Sequence, residues 1–194
     1  MGIKDRPKYR LIIEAAVDVI AENGFHQAQV SKIAKRAGVA DGTIYIYFKN
    51  KEDILISVFR EKMGDFIEKI KAEIMTQEKP GEKLATLVRM HFTQLAAHRN
   101  LAIVTQLELR QSNQAIRHKI NETLKDYIAV IDSVVDYGKE HHIFRENLDT
   151  RLARQMIFGT LDETVSNWVM NDQRFDLAAL AEPVSDLLLN GLTR

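Results

Sequence analysis

The 194-residue sequence predicts an all-α protein of nine helices, and three observations carry that prediction. Apolar residues recur at spacings of three and four along almost the whole chain, the period of a helix with one buried face. Nine glycines and three prolines are too few for the tight turns of an all-β architecture. The breaks in the periodicity also fall on residues that stop helices, such as Asn23-Gly24, Gly38 and Pro80-Gly81.

The first helix, about 8–23, places Leu11, Ile12, Ala15, Ala16, Val19 and Ile20 on one stripe and stops at Asn23-Gly24. The second, 29–37, carries Val30, Ile33, Ala34 and Ala37, and Gly38 ends it in the left-handed conformation that glycine adopts without strain. A short third helix runs from about Gly42 to Phe48. Asn50 is the predicted N-cap of a long fourth helix from Lys51 to about Met75, with Glu52 and Asp53 at the positive end of its dipole. Helices at about 82–98, 101–112, 114–141, 149–172 and 176–192 follow. His98-Arg99-Asn100, Ser112-Asn113 and 142–148 separate them. Pro183 lies inside the last pattern and should kink that helix or restart it. The reading divides the chain at residue 50: a three-helix head at 1–50, and a body at 51–194 joined to it through the connecting helix 51–75.

Charge separates the same two parts. Residues 1–51 hold nine Lys/Arg against five Asp/Glu, a net +4, and the remainder carries −4, so the chain is neutral overall. A basic head on an acidic body fits a head that meets a polyanion. A chance clustering of solvated charge is the alternative. No apolar run approaches the roughly 18 residues of a membrane span, and the charged start, MGIKDRPKYR, has no apolar run behind it to make a secretory signal. There is no cysteine, which excludes disulfides and thiolate chemistry and agrees with a cytoplasmic location.

The segment 33–48, IAKRAGVADGTIYIYF, holds two short helices joined by a tight glycine-containing turn, the pattern of a helix-turn-helix. Val39 would plug the angle between them. Ile44 and Phe48 share one face and point inward, which leaves Thr43, Tyr45 and Tyr47 partly outward. In a major groove a tyrosine ring can meet a thymine methyl and its hydroxyl can reach a phosphate. Lys49 and Lys51 follow at a helix N-terminus, where dipole and ammonium both favour phosphate. An αα-hairpin with surface aromatics is the alternative. The run from Ile33 to Phe48, continued by Lys51-Glu52-Asp53-Ile54-Leu55, resembles the DNA-binding region of the TetR family of repressors over about residues 8–60. In that family a Thr usually caps the second helix near position 29. Gln29 stands there in this chain, leaving Ser31 as the candidate cap. The resemblance implies a nine-helix TetR-type subunit that dimerises through its last two helices and holds an effector in its C-terminal domain. It gives Gln29, Ser31, Asp41, Gly42, Thr43, Tyr45, Tyr47, Lys49 and Lys51 as candidate contacts to double-stranded operator DNA.

The stretches 101–113 and 151–172 extend the resemblance to the acyl-CoA-responsive members of the family. That implies repression of fatty-acid degradation genes, relieved by long-chain acyl-CoA as an effector rather than a cofactor. A TetR-type repressor answering to a different hydrophobic molecule is the alternative. A fatty acyl chain needs apolar walls, and coenzyme A phosphates need cations. Phe92, Leu107, Met156, Phe158 and Trp168 are the candidate walls, and Arg89, Arg99 and Arg110 the candidate cations. Gln106, Arg110 and Asn113 are expected on one helical face, where a solvated face is the plainer reading. The helix at 149–172 is apolar on more than one side, and a twofold partner is a natural cover for the side its own subunit leaves free. Leu152, Gly159, Glu163, Val165, Val184 and Leu188 are the candidate interface. The long helix 51–75 is expected to carry the effector's signal to the head as a rigid rod.

No GxSxG, GxGxxG or GxxxxGK[ST] pattern is present, and the candidate buried carboxylates Glu108, Asp162 and Glu163 have no nucleophile–base pair beside them in sequence. An enzyme is therefore not expected. Six histidines show no metal-ligand spacing and are read as core or surface residues. A helical module that binds only proteins fits the periodicity but leaves the tyrosine–lysine cluster without a role.

Overall fold

The computed structural model describes residues 7–193, so the basic positions Lys4 and Arg6 lie outside the described residues. Its elements are α1 (Pro7–Gln27), α2 (Val30–Ala37), α3 (Asp41–Tyr47), α4 (Lys51–Val58), a π-helical turn (Phe59–Met63), α5 (Gly64–Met75), α6 (Pro80–Ala97), α7 (Arg99–Glu108), α8 (Gln114–Glu140), α9 (Thr150–Met170), a 3₁₀ turn (Ala178–Leu180) and α10 (Ala181–Leu192). Counting α4, the π turn and α5 as one rod gives nine helices among the described residues. The only β feature among them is an isolated bridge between Phe144 and Thr193.

Two compact units are present, residues 1–64 with 100–123, and 65–99 with 124–194. The packing therefore does not break at residue 50. The chain crosses between units at Gly64–Asp65, Arg99–Asn100 and Thr123–Leu124.

The first unit is built around α1. Ile12, Ala16, Ile20 and Phe25 are buried against Ile33 and Ala34 of α2, Ile44 of α3, and Ile54, Leu55 and Val58 of α4. Leu101, Val104, Ile116 and Ile120 complete this core from α7 and the start of α8. Leu11, expected on the buried stripe, is 52% exposed. Gly24 breaks α1 with φ 71 and ψ 156, after which one more turn reaches Gln27. At the end of α2 the Val39 N–H donates to Ala34 O and the Gly38 N–H to Lys35 O, with Gly38 at φ 67. That crossed pair is a Schellman closure, and it needs a residue tolerant of positive φ at this position.

The second unit packs α5, α6, the latter part of α8, α9 and α10. Phe66, Ile67 and Ile70, Leu87, Val88 and Phe92, Tyr127, Ile131 and Val134, and Ile157, Leu161, Val165 and Trp168 fill its core. Pro183 is accommodated by a restart. α10 begins at Ala181, which leaves Pro183 in the first turn, where a missing N–H costs no intrahelical bond. The π turn is a departure from the regular 51–75 helix expected from periodicity. It lies immediately before the crossing at Gly64.

Candidate functional site

Helix α3 is held from one side only. Ile44 is fully buried, and Phe48, extended at φ −133 just past the helix, is 2% exposed and stacks on Tyr9 of α1 at 5.2 Å between ring centroids. With α3 fixed by these two anchors, Tyr45 is 60% and Ile46 63% exposed. Ile46 was absent from the sequence-derived candidates, although at about 100° per residue it lies about 200° from Ile44 and so must face away from the core. Tyr47, about 60° from Ile44 on the same reckoning, is half-buried, with Tyr9 6.2 Å away. It is thus partly a packing residue. Thr43 is half-buried, whereas Asp41 and Gly42 are exposed at the first turn of α3.

Gln29 occupies the N-cap of α2 in an extended conformation but makes no side-chain cap hydrogen bond, and Ser31 is exposed one residue into the helix. Asn50 caps α4 as expected, its Oδ1 accepting from the Asp53 N–H at 2.8 Å. Lys49 is exposed beside it, its backbone N–H donating to Asp53 Oδ2 at 3.0 Å. Lys51 does something different from the expectation. Its Nζ donates to Phe25 O at 3.0 Å and His26 O at 2.9 Å, and lies 4.8 Å from the centroid of the Phe25 ring. These carbonyls belong to the end of α1, so the ammonium closes that helix inside the head and is not presented as a free cation. Arg36 and Lys32 are likewise engaged, with Glu22 at 2.8 Å and Asn23 at 3.1 Å. The exposed face of α3 is therefore Tyr45, Ile46, Asp41 and Gly42, with Lys49 exposed just beyond the helix.

The effector candidates divide between the units. In the second, Phe92 is fully buried, Trp168 is 2% exposed and donates its indole N–H to Phe175 O at 2.9 Å, and Phe158 is half-buried. Arg89 is exposed and paired with Glu73 at 3.3 Å, and the Arg99 guanidinium lies 5.9 Å from the Trp168 ring centroid. In the first unit, α7 ends at Glu108, so Gln106, Arg110 and Asn113 do not share one helical face. The three-and-four rule fails because 109–113 is not helical. Asn113 instead caps α8, accepting from Ala115 N at 2.9 Å and Ile116 N at 3.3 Å. Leu107 is 50% exposed, Arg110 is exposed and Gln106 half-buried.

A polar feature in the second unit was not foreseen. His91 and Tyr127 are both buried, with His91 Nδ1 2.7 Å from the tyrosine hydroxyl. Phe66 lies 5.4 Å from His91 and 5.8 Å from Tyr127, and Phe158 6.3 Å from Tyr127. Burial pushes His91 down to about 3 and holds it neutral. Burial, then the charge of Asp162, pushes the Tyr127 hydroxyl up. His91 Nε2 is buried without a hydrogen-bond partner. The pair is a polar contact set inside an aromatic core. A single His and a single Tyr on apolar stripes read as core from sequence, and both are buried there.

On α9, Leu152 (55%), Met156 (50%), Gly159, Glu163 and Met170 (74%) are exposed on one stripe at spacings of four, three, four and seven, and Leu187 (73%) is exposed on α10. Nothing lies within 4 Å of a Cβ built on Gly159. Met156 belongs to this stripe rather than to a buried wall. Val165 and Leu188, expected at the interface, are buried within the subunit at 0% and 7%, and Val184 is half-buried. The error has one physical cause. A helix apolar on two sides does not reveal from sequence which side its own subunit covers.

No described helix is long and apolar enough to cross a membrane, and no group of three or more His, Cys, Asp or Glu suited to a metal ion occurs among the described residues.

Residues 12–58 match the family model for bacterial regulatory proteins of the tetR family, and residues 59–191 the model for the C-terminal region of YsiA-like proteins. The chain belongs to the TetR family of bacterial regulatory proteins. It is 62% identical over 187 residues to the fatty acid metabolism regulator protein of Bacillus subtilis (strain 168), with 96% of each chain covered. It is similar to the crystal structure of FadR from Bacillus subtilis in complex with stearoyl-CoA, with a TM-score of 0.92 and 61% identity over 95% of this chain and 99% of that one. It is also similar to the fatty acid degradation regulator FadR from Bacillus halodurans, with a TM-score of 0.94 and 64% identity over 98% of this chain and all of that one, 100%.

Proposed function

We propose that this chain is a homodimeric, cytoplasmic transcriptional repressor of fatty-acid degradation genes that leaves its operator when it binds long-chain acyl-CoA, and that it catalyses no reaction. The observation that carries the reading is its 61% identity, over 99% of that chain, with a regulator whose structure holds stearoyl-CoA. Residues 1–50 act as the DNA-binding part and 51–194 as the effector and dimerisation part. Tyr45 and Ile46 read base edges in the major groove, Gln29, Ser31, Thr43 and Tyr47 flank them, and Lys49 meets phosphate. Within the second unit, Phe92, Phe158 and Trp168 receive the acyl chain, and Arg89 and Arg99 supply cations for phosphate. The exposed stripe of α9, with Val184 and Leu187 of α10, is covered by a second copy. Two heads are required because half-sites read by one helix each lie about 34–36 Å apart.

The reading is tested by fluorescence anisotropy on a labelled promoter fragment from a fatty-acid degradation operon. Stearoyl-CoA should return the anisotropy to that of free DNA, and unesterified coenzyme A should not. Full retention of the fragment at saturating stearoyl-CoA contradicts the reading.

A further inference from the structure

Nothing among the described residues requires glycine at position 42. Gly42 is exposed in the first turn of α3, its φ is not positive, and no atom of the described residues lies within 4 Å of a Cβ built on it. Glycine inside a helix is less stable than alanine, so the bare backbone here answers to something outside the chain. Ile46 stands one turn further on. At about 100° per residue, Gly42 and Ile46 lie about 160° and 200° from the buried Ile44, so both sit on the outermost line of α3. Ile46 is 63% exposed. Its side chain has no polar atom, and branching at Cβ leaves it one strongly preferred rotamer in a helix. The rest of α3 narrows the chemistry. Its sequence, DGTIYIY, has no Lys, Arg, Asn or Gln, the side chains that read guanine or adenine through paired hydrogen bonds. On the major-groove edge of a base pair, the apolar group on offer is the C5 methyl of thymine.

We infer that Ile46 reads the C5 methyl group of a thymine in each half-site, and that the bare backbone at Gly42 lets α3 approach the groove closely enough for it to do so. This rests on the repressor reading, in which α3 meets base edges, and adds the chemical identity of one base. Ile46 offers no hydrogen bond, so it separates thymine from the other bases by the methyl group alone. The hydroxyl of Tyr45 gives that residue a second use at a phosphate, whereas Ile46 has none. A side chain at residue 42 would stand one turn along the same outward line and hold the helix off by its own height.

The test uses the full-length protein without stearoyl-CoA, on a duplex that the protein itself selects from a random-sequence pool. Thymines are replaced one position at a time, in both half-sites together, by uracil, which keeps every hydrogen bond and lacks only the methyl group. Burial of one such group is worth about fourfold in affinity, so at one position the wild-type protein should lose about fourfold per half-site, about fifteenfold for the dimer. In Ile46→Ala that position should become indifferent to uracil, while any penalty elsewhere keeps its wild-type value. Gly42→Ala should lose affinity for the selected duplex, and the same uracil penalty with it. Its melting temperature should hold or rise, because alanine is the better helix former. Uracil penalties in Ile46→Ala that match the wild type at every position, or no penalty at any position in the wild type, overturn the methyl reading. Gly42→Ala with wild-type affinity and the full penalty overturns the close approach. If no sequence is enriched from the pool, the DNA-reading role of α3 fails and the inference falls with it. A duplex that is enriched but indifferent to uracil overturns the inference alone.

Discussion

Lys51→Ala separates two uses of one cation. In the head, the ammonium donates to Phe25 O at 3.0 Å and His26 O at 2.9 Å and faces the Phe25 ring at 4.8 Å. Hydrogen bonds to a charged group contribute about 1.5–3 kcal/mol each when buried. Lys51 is only half-buried, and water replaces part of what is lost, so about 2 kcal/mol in total is the expected destabilisation. For a chain of this length that corresponds to a melting temperature lower by about 4–8 °C. Thermal unfolding followed by circular dichroism reads this directly. The salt dependence of DNA binding, measured alongside, should keep its wild-type slope, whereas Lys49→Ala should lose about 0.9 from it, the contribution of one phosphate contact. An unchanged melting temperature in Lys51→Ala with a reduced slope would refute the reasoning and place the ammonium on the DNA backbone.

Tyr45→Ala should weaken operator binding by about 1–3 kcal/mol and relax preference at one base position. It should leave the melting temperature unchanged, because the side chain is 60% exposed; competition binding against single-base operator variants checks both. Met156→Glu should yield monomers by sedimentation velocity and abolish tight operator binding, since an unpaired charge buried at an interface costs about 3–5 kcal/mol and a twofold places two of them there. A Met156→Glu dimer with normal operator affinity would show that this stripe is not the interface. His91 is held neutral down to about pH 3 by burial, whereas in the unfolded chain it binds a proton near pH 6.5. Its contribution to stability is therefore full above that pH and is lost as pH falls toward 3, at up to about 1.4 kcal/mol per pH unit. His91→Gln should flatten that part of the profile in urea titrations, and an identical acid-side slope would mean that His91 is not buried and neutral.

Local signals were legible in the sequence where one physical factor decides the outcome. Asn50 as N-cap, Gly38 at positive φ, the break at Gly24 and the inward pair Ile44 and Phe48 each follow from backbone chemistry or helical phase, and each is present in the structure. The same helical phase places Ile46 outward, about 200° from Ile44. What was not legible depends on partners distant in sequence. Lys51 looked like a phosphate ligand because its competitors, the carbonyls of residues 25 and 26, lie two helices earlier in the chain, before α2 and α3. Val165 and Leu188 looked available to a second copy because periodicity shows that a face is apolar but not what covers it. The stop of α7 at Glu108 is not legible, nor is the hydrogen bond from the Phe25 N–H to Glu108, since no spacing rule links a carboxylate to the backbone N–H of residue 25.

Reciprocal titration calorimetry tests the central claim most directly. Stearoyl-CoA is titrated into the free dimer and into the dimer already saturated with operator DNA, at the same salt concentration. Linkage requires DNA to weaken stearoyl-CoA binding by the same factor by which stearoyl-CoA weakens DNA binding, about 5–150-fold for a typical switch. Equal stearoyl-CoA affinities in the two titrations, with the operator still bound at the end of the second, would contradict the account.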